Sequence, residues 1–114
     1  EFVPYAVFSQ PEIASVGITE EKAIQSIGKD NIKVYRSIFR PLSKSLPKTC
    51  SKCILKLIVD KNNNKILGCH MIGDNASEII QMASISLMLG AKKSDFDNTM
   101  ALHPTIAEEF VTMR

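Results

Sequence analysis

The sequence predicts an α+β domain in which an antiparallel sheet carries helices packed on one face. Apolar runs at 53–60 and 65–73 are separated by Lys and Asn residues that favour a tight turn, which indicates a hairpin. The predicted elements follow the order strands, helix, strands, then helices, an order typical of this class. The 114 residues, of which 45% are apolar and 23% charged, suit one globular domain.

The first part of the chain predicts two strands and a capped helix. Val3 to Phe8 is rich in apolar and aromatic residues, and Ile13 to Gly17 resumes an extended pattern after a proline. Thr19 then precedes two glutamates and an apolar face, which is the pattern of a helix N-cap. Gly28 is placed to end this helix.

A further strand and a long helix follow. Residues 32–40 alternate between apolar and polar and predict a strand. Asn75, with Glu78 three positions later, predicts a capped helix from about Ala76 to Leu89. Its apolar residues surround most of the helix, so the sheet can cover only part of them. We therefore expect its other side to meet another chain or domain.

Two capping boxes predict short helices near the end of the chain. Ser94 to Asp97 predicts the first, and Thr105 to Glu108 predicts the last. The last helix would direct Ala107, Phe110 and Val111 inward.

Charge and hydropathy exclude several classes of partner. A formal charge of +2 with scattered basic residues gives no reason to expect nucleic acid, and the chain lacks the ~18 apolar residues in a row needed to span a bilayer. Three cysteines without a signal peptide favour reduced thiols in the cytoplasm. The chain begins in a strand-like pattern without Met, so we expect it to be part of a longer protein.

The cysteines raise the question of a zinc site. Cys50, Cys53, Cys69 and His70 resemble a broken zinc-ribbon pattern. However, Cys69 and His70 are adjacent on a predicted strand and would point to opposite faces of the sheet. We predict no metal and buried thiols, with a zinc-stabilised binding module as an alternative.

His103 is the candidate catalytic residue. Pro104 holds its neighbour in an extended conformation, so the imidazole can project before the last helix begins. A carboxylate from Glu108 or Glu109 would orient the imidazole ring and raise its pKa. A histidine held in this way can act as a general acid/base, or as a cation that stabilises a thiolate. The same Glu108 also fits the capping box that starts at Thr105. From the residues alone, both interpretations remain open.

The last residues, HPTIAEEFVTMR (103–114), closely resemble the C-terminal signature of glutathione reductases, which are FAD-dependent pyridine nucleotide-disulphide reductases. FSQPEIASVGITEEKA, ILGCHMIGDNASEIIQ and GAKKSDFDNTMALHPT match in the same order. The resemblance covers nearly the whole chain but only the family's last domain, the dimerisation or interface domain. The chain has no G-x-G-x-x-G fingerprint and no redox C-x4-C pair. We therefore expect the FAD and NADP domains to be absent here, and the fragment to be inactive and to bind no cofactor.

The resemblance implies a homodimer that passes electrons from NADPH through FAD and a protein disulfide to glutathione disulfide. His103 would reach the partner subunit's disulfide as the acid/base, and Glu108 would pair with it. The backbone of His103 and Pro104 would lie beside the partner's FAD. The positions that match substrate-binding residues are Glu109, Thr112 and Phe8. The predicted helix 76–89 matches part of the dimer contact.

Two alternatives stay open. The substrate of a related reductase would be trypanothione or lipoamide rather than glutathione disulfide. A non-catalytic module, either zinc-stabilised or dimerising, would need only a capped last helix.

Overall fold

A computed structural model describes residues 2–9, 11–39, 53–99 and 109–113. Its centre is a five-stranded antiparallel sheet in the spatial order β1-β2-β5-β4-β3. The strands are β1 (Tyr5–Val7), β2 (Ile13–Gly17), β3 (Ile32–Phe39), β4 (Cys53–Asp60) and β5 (Ile66–Ile72). The predicted α+β class and antiparallel sheet are confirmed.

The described residues form four α-helices and one 3-10 helix. They are α1 (Glu20–Ile27), a 3-10 helix (Lys29–Asn31), α2 (Ala76–Met88), α3 (Lys93–Asp97) and α4 (Glu109–Thr112). Within the described ranges, none of the helices has the length and apolar character needed to cross a membrane.

The predicted hairpin is formed by β4 and β5, two interior strands of the sheet. β4 and β5 pair in antiparallel register, with Leu57 opposite Cys69 and one irregularity between Ile58 and Val59. In the connecting turn Asn64 adopts a positive φ of 66°, a conformation that asparagine tolerates better than most residues. The Asp60 carboxylate accepts a hydrogen bond from the Asn62 amide at 2.9 Å. The hairpin therefore closes where its turn residues indicated.

The two faces of the sheet have different covers. Because successive side chains on a strand alternate, Leu55 and Leu57 of β4 face α2 and α4, and Ile58 faces the opposite side. There Ile58 packs with Ala23 of α1. Glu20 of α1 also binds β4 on that side, at 2.8 Å from Lys56. The main core thus lies under α2 and α4, and α1 adds a small second cluster on the other face, so the predicted placement of the helices on one face is wrong.

β2 and β5 pair through two glycines at one end of their contact. Gly17 pairs with Gly68, and Gly17 has a φ of 84°. A Cβ atom on Gly68 would overlap the backbone oxygen of Ile18. Glycine at this position therefore permits the two backbones to meet at the end of the sheet.

The predicted caps of α1 are confirmed. The Thr19 hydroxyl accepts a hydrogen bond from the Lys22 amide at 3.1 Å, and Gly28 ends the helix with a φ of 92°. Both signals are local in sequence, which is why the residues alone were sufficient to find them.

The predicted cap of α2 is wrong. Asn75 lies at the N-cap position, but its φ of 66° and ψ of 18° are left-handed rather than extended, and its side chain makes no capping bond. The Glu12 carboxylate does so instead, accepting from the Ser77 amide at 3.1 Å and from its hydroxyl at 2.8 Å. A residue before β2 thus caps a helix 65 positions later.

Removing this carboxylate should destabilise the domain. We expect Glu12→Ala to lower the free energy of unfolding by about 1–2 kcal/mol, the range typical of a lost N-cap. Urea unfolding measures this. Glu78→Ala, which removes an exposed acid from the first turn of the same helix, is the matched control and should cost at most about 0.5 kcal/mol. Equal losses for the two variants would contradict the assigned cap.

The predicted Ser94 capping box of α3 is also wrong. The helix begins at Lys93, and the cap is at Lys92, whose amide donates to Asp95 at 2.9 Å. The Ser94 amide instead donates to the Asn64 side chain at 2.9 Å. The β4–β5 turn thus supplies an acceptor that a local pattern cannot show.

The predicted Thr105–Glu108 box lies outside the described residues, as does Ala107. The last helix is present as α4, and Phe110 is buried as predicted.

Candidate functional site

Only some of the predicted site residues lie within the part of the chain that the structure describes. His103, Pro104 and Glu108 lie outside the described residues, so their roles stay predictions. Glu109 is the first described residue of α4, although its side chain is not among those described. Thr112 is exposed at the end of α4.

Phe8 lies at a separate position, just after β1, with 77% of its surface exposed. It lines a shallow pocket of about 160 Å³ between the N-terminal strand and the first turns of α2. Tyr5, Ser77 and Gln81 contribute to the same pocket. Its volume of about 160 Å³ is below the roughly 300–1,000 Å³ typical of small-molecule sites, so it can hold only part of a ligand.

The helix α4 is fixed to the domain by apolar contacts. Phe110 and Met113 are only 6% and 4% exposed and belong to the main core. The Phe110 ring packs edge-on against Phe96 of α3, with centroids 6.2 Å apart and planes at 68°. These contacts hold α3 and α4 together and leave Thr112 on the surface.

Lys93 is a residue that the sequence analysis missed. Its side chain is 2% exposed although it carries a charge. The ammonium donates to the Met113 carbonyl at 2.7 Å and pairs with Asp97. It also lies 4.5 Å from the centre of the Tyr35 ring. The i, i+4 spacing of Lys93 and Asp97 was the available signal, but such pairs usually indicate an exposed helix face.

His70 is held in the sheet by both ring nitrogens. Nε2 lies 3.0 Å from the Ile18 carbonyl, which can only accept, so this nitrogen carries the proton. The Ser15 hydroxyl then donates to Nδ1 at 2.9 Å. Burial lowers the pKa of His70, and the nearby charge of Lys56 acts in the same direction. This neutral, fully bonded ring agrees with a structural role.

The cysteines in the described ranges are core residues. Cys53 and Cys69 are buried, and burial raises the pKa of the Cys69 thiol, which leaves it protonated and unreactive. Cys69 faces α2, whereas His70 faces the opposite side of the sheet, as alternation predicted. Cys50 lies outside the described residues.

One side of α2 is not covered by any of the residues that the structure describes. Ala76, Ile80, Ser84 and Leu87 are buried against the sheet. The opposite side presents an exposed apolar surface, here called the helix surface. It consists of Met82, Ile85, Met88 and Leu89. Such a contiguous patch is typical of a surface that contacts another protein.

A second apolar surface crosses the sheet on the face that carries α1. One residue from each strand contributes, because these five positions lie in register across the sheet. This sheet row consists of Val7, Ile13, Ile72, Ile54 and Ile38. Val7, Ile13 and Ile38 are exposed.

The chain matches known proteins over its whole length. It is 46% identical over 114 residues to a glutathione reductase of Nostoc sp. and 45% identical over 114 residues to one of Burkholderia cepacia. It is 46% identical over 112 residues to the chloroplastic/mitochondrial glutathione reductase of Pisum sativum. All or nearly all of the chain is covered, but it spans only 25%, 25% and 20% of these relatives.

The fold and the domain family agree with these relatives. The HOCl-induced flavoprotein disulfide reductase RclA from Escherichia coli superimposes with a TM-score of 0.78 at 27% identity, over 99% of this chain and 26% of that one. The family model of the pyridine nucleotide-disulphide oxidoreductase dimerisation domain matches residues 3–114. The chain therefore belongs to the dimerisation domain family of the pyridine nucleotide-disulphide oxidoreductases.

Proposed function

We propose that this chain is the dimerisation domain of a homodimeric glutathione-disulfide reductase that uses NADPH and FAD. The observation that carries the proposal is the 45–46% identity to two bacterial glutathione reductases over all 114 residues. The chain amounts to about a quarter of those proteins, so the remaining domains would hold the cofactors.

In this proposal His103 supplies a proton to the partner subunit's reaction. Bound flavin would carry electrons from NADPH to a protein disulfide. A protein thiolate then attacks glutathione disulfide, the S–S bond breaks, and one glutathione leaves as a thiolate. With a thiol pKa of about 8.5, this leaving group is stabilised at neutral pH by protonation from a positioned imidazolium. Glu108 would orient the ring and stabilise its charged form.

The substrate positions have partial structural support. Thr112 is exposed on a helix that is anchored from below by Phe110 and Met113. Phe8 is exposed beside a pocket. Glu109 would add a carboxylate that can accept hydrogen bonds from the amide or ammonium groups of glutathione.

The helix surface supports dimerisation. It is apolar, lies on the side of α2 away from the core, and would be buried by a second copy. We propose that the homodimer forms through it and leaves the sheet row outside the subunit contact.

A charge on the helix surface should weaken the dimer. We expect Ile85→Glu in the full-length protein to raise the dissociation constant by roughly 10²-fold or more, because a carboxylate would be buried without a partner. Sedimentation measures this. Ile38→Glu, on the sheet row, is the matched control, since it adds the same charge to an exposed isoleucine. Loss of the dimer only with Ile38→Glu would assign the contact to the sheet.

A cytoplasmic location is part of the proposal. It rests on the three cysteines of the chain, an odd number that favours reduced thiols over a disulfide framework. Reduced cysteines are usual in compartments that glutathione keeps reducing.

The function is tested by NADPH oxidation in the full-length protein, with glutathione disulfide, trypanothione disulfide and lipoamide supplied separately. We expect turnover with glutathione disulfide and little with the others. Turnover with another disulfide would keep the chemistry and change the substrate. Absence of flavin and of turnover with all three would reject the proposal in favour of a binding module.

A further inference from the structure

We propose that Lys93 is a positioning residue that fixes the orientation of α4 for substrate binding. The inference rests on the proposed function, because α4 carries Glu109 and Thr112, the residues proposed to hold glutathione disulfide. What leads to it is a charged side chain that is 2% exposed in the core of a small domain.

The partners of Lys93 come from three separate parts of the fold. Asp97 lies on α3, the Met113 carbonyl follows α4, and the Tyr35 ring lies on β3. A buried ammonium loses its hydration, so it is tolerated only where such partners replace the water. A methionine of similar length would fill the same space without that penalty. The lysine at this position is therefore better explained by the orientation of α4 that its contacts favour than by a contribution to the stability of the domain.

α4 needs a directional contact of this kind. Its described part is Glu109–Thr112. Phe110 and Met113 attach it to the core by apolar contacts, which are not directional. The 2.7 Å hydrogen bond from Lys93 to the Met113 carbonyl is directional and engages the C-terminal end of the helix. It thereby fixes how α4 is turned and which way Thr112 faces.

The Lys93 side chain is also held by contacts with the sheet and with α3. Asp97 and Tyr35 prevent the ammonium from following α4 if that helix shifts. The Lys93 amide also donates to the Asn64 carbonyl at 2.8 Å, which ties the residue to the β4–β5 turn. Lys93 thus connects α4 to the β4–β5 hairpin.

Lys93→Met in the full-length protein tests this role, with Lys92→Met as the matched control. Lys92 is the exposed neighbour, so its replacement removes the same charge without a buried contact. We expect Lys93→Met to raise the KM for glutathione disulfide roughly 10-fold or more, since small misplacements of binding groups have effects of this size. Flavin content and the rate of flavin reduction by NADPH should stay unchanged. Lys92→Met should change none of these.

Hydrogen exchange separates this inference from the proposed function. Amides of residues 110–113 should exchange roughly 10-fold faster in Lys93→Met than in Lys92→Met, whatever the substrate is. If the wild-type protein does not reduce glutathione disulfide, the proposed function fails, and the exchange rates still decide whether Lys93 holds α4. Unchanged exchange in Lys93→Met would overturn the inference.

Two further results have a defined meaning. Parallel loss of flavin, stability and both half-reactions in Lys93→Met would indicate a general structural role and would overturn the positioning role. If Lys93→Met does not fold, Asp97→Asn decides, because it keeps the shape of the partner and removes its charge. A raised KM with normal flavin reduction in Asp97→Asn would support the inference, and wild-type values would overturn it.

Discussion

His103→Gln in the full-length protein is expected to slow the reduction of glutathione disulfide by roughly 10²- to 10⁴-fold, the usual contribution of a positioned acid/base. Glutamine keeps a polar side chain of similar size but cannot deliver a proton at neutral pH. Reduction of the flavin by NADPH should keep its wild-type rate, because that step precedes the departure of the thiolate. Stopped-flow measurement of the two half-reactions separates these effects.

His70→Gln is the control for this experiment. His70 is the other histidine of the chain, and its ring is bonded to Ser15 and Ile18 within the sheet. Its replacement should leave both half-reactions at wild-type rates below the unfolding temperature. A similar slowing of both half-reactions in His103→Gln would contradict an acid/base role for that residue.

Leu57→Ala should have the largest effect on stability. Leu57 is fully buried in the interior strand β4, with Tyr35 and Cys69 as its cross-strand neighbours. We expect a loss of about 2–5 kcal/mol, which combines the lost burial of the side chain with the cavity that it leaves. Because small domains are stable by only about 5–15 kcal/mol, such a loss can unfold much of the population. Chemical denaturation of the chain measures it.

Leu89→Ala removes the same atoms from an exposed position. Leu89 is 83% exposed at the end of α2, so its replacement should change stability by less than about 0.5 kcal/mol. The comparison is made at a concentration at which sedimentation finds monomers, since Leu89 belongs to the helix surface. Similar losses for the two leucines would contradict the assigned core.

The sequence predicted those parts of the fold that depend on near neighbours. The turn at Asn64 and the caps at Thr19 and Gly28 involve contacts within a few residues, so local propensity was enough to find them. The apolarity of α2 on all sides also correctly predicted an uncovered surface, because one sheet cannot cover a whole helix.

The errors arose where a distant residue replaced a local one. Asn75 has the residue type of an N-cap, but its left-handed backbone prevents this, and Glu12 takes the role through a contact that a local pattern does not encode. Lys93 was missed for the same reason, since Tyr35 and the Met113 carbonyl are remote in sequence. For the site, family resemblance supplied His103 and Glu108 as predictions. The structure adds the anchoring of α4, which residue patterns could not show.

The most direct test of a catalytic histidine supplied by the partner subunit is a hybrid dimer. One subunit carries His103→Gln, and the other lacks the redox cysteine expected in the FAD domain. If His103 acts across the dimer, the hybrid contains one complete site and should show about half the wild-type turnover, although both parent dimers are inactive. A hybrid as inactive as its parents would contradict the account, because His103 would then serve its own subunit or neither.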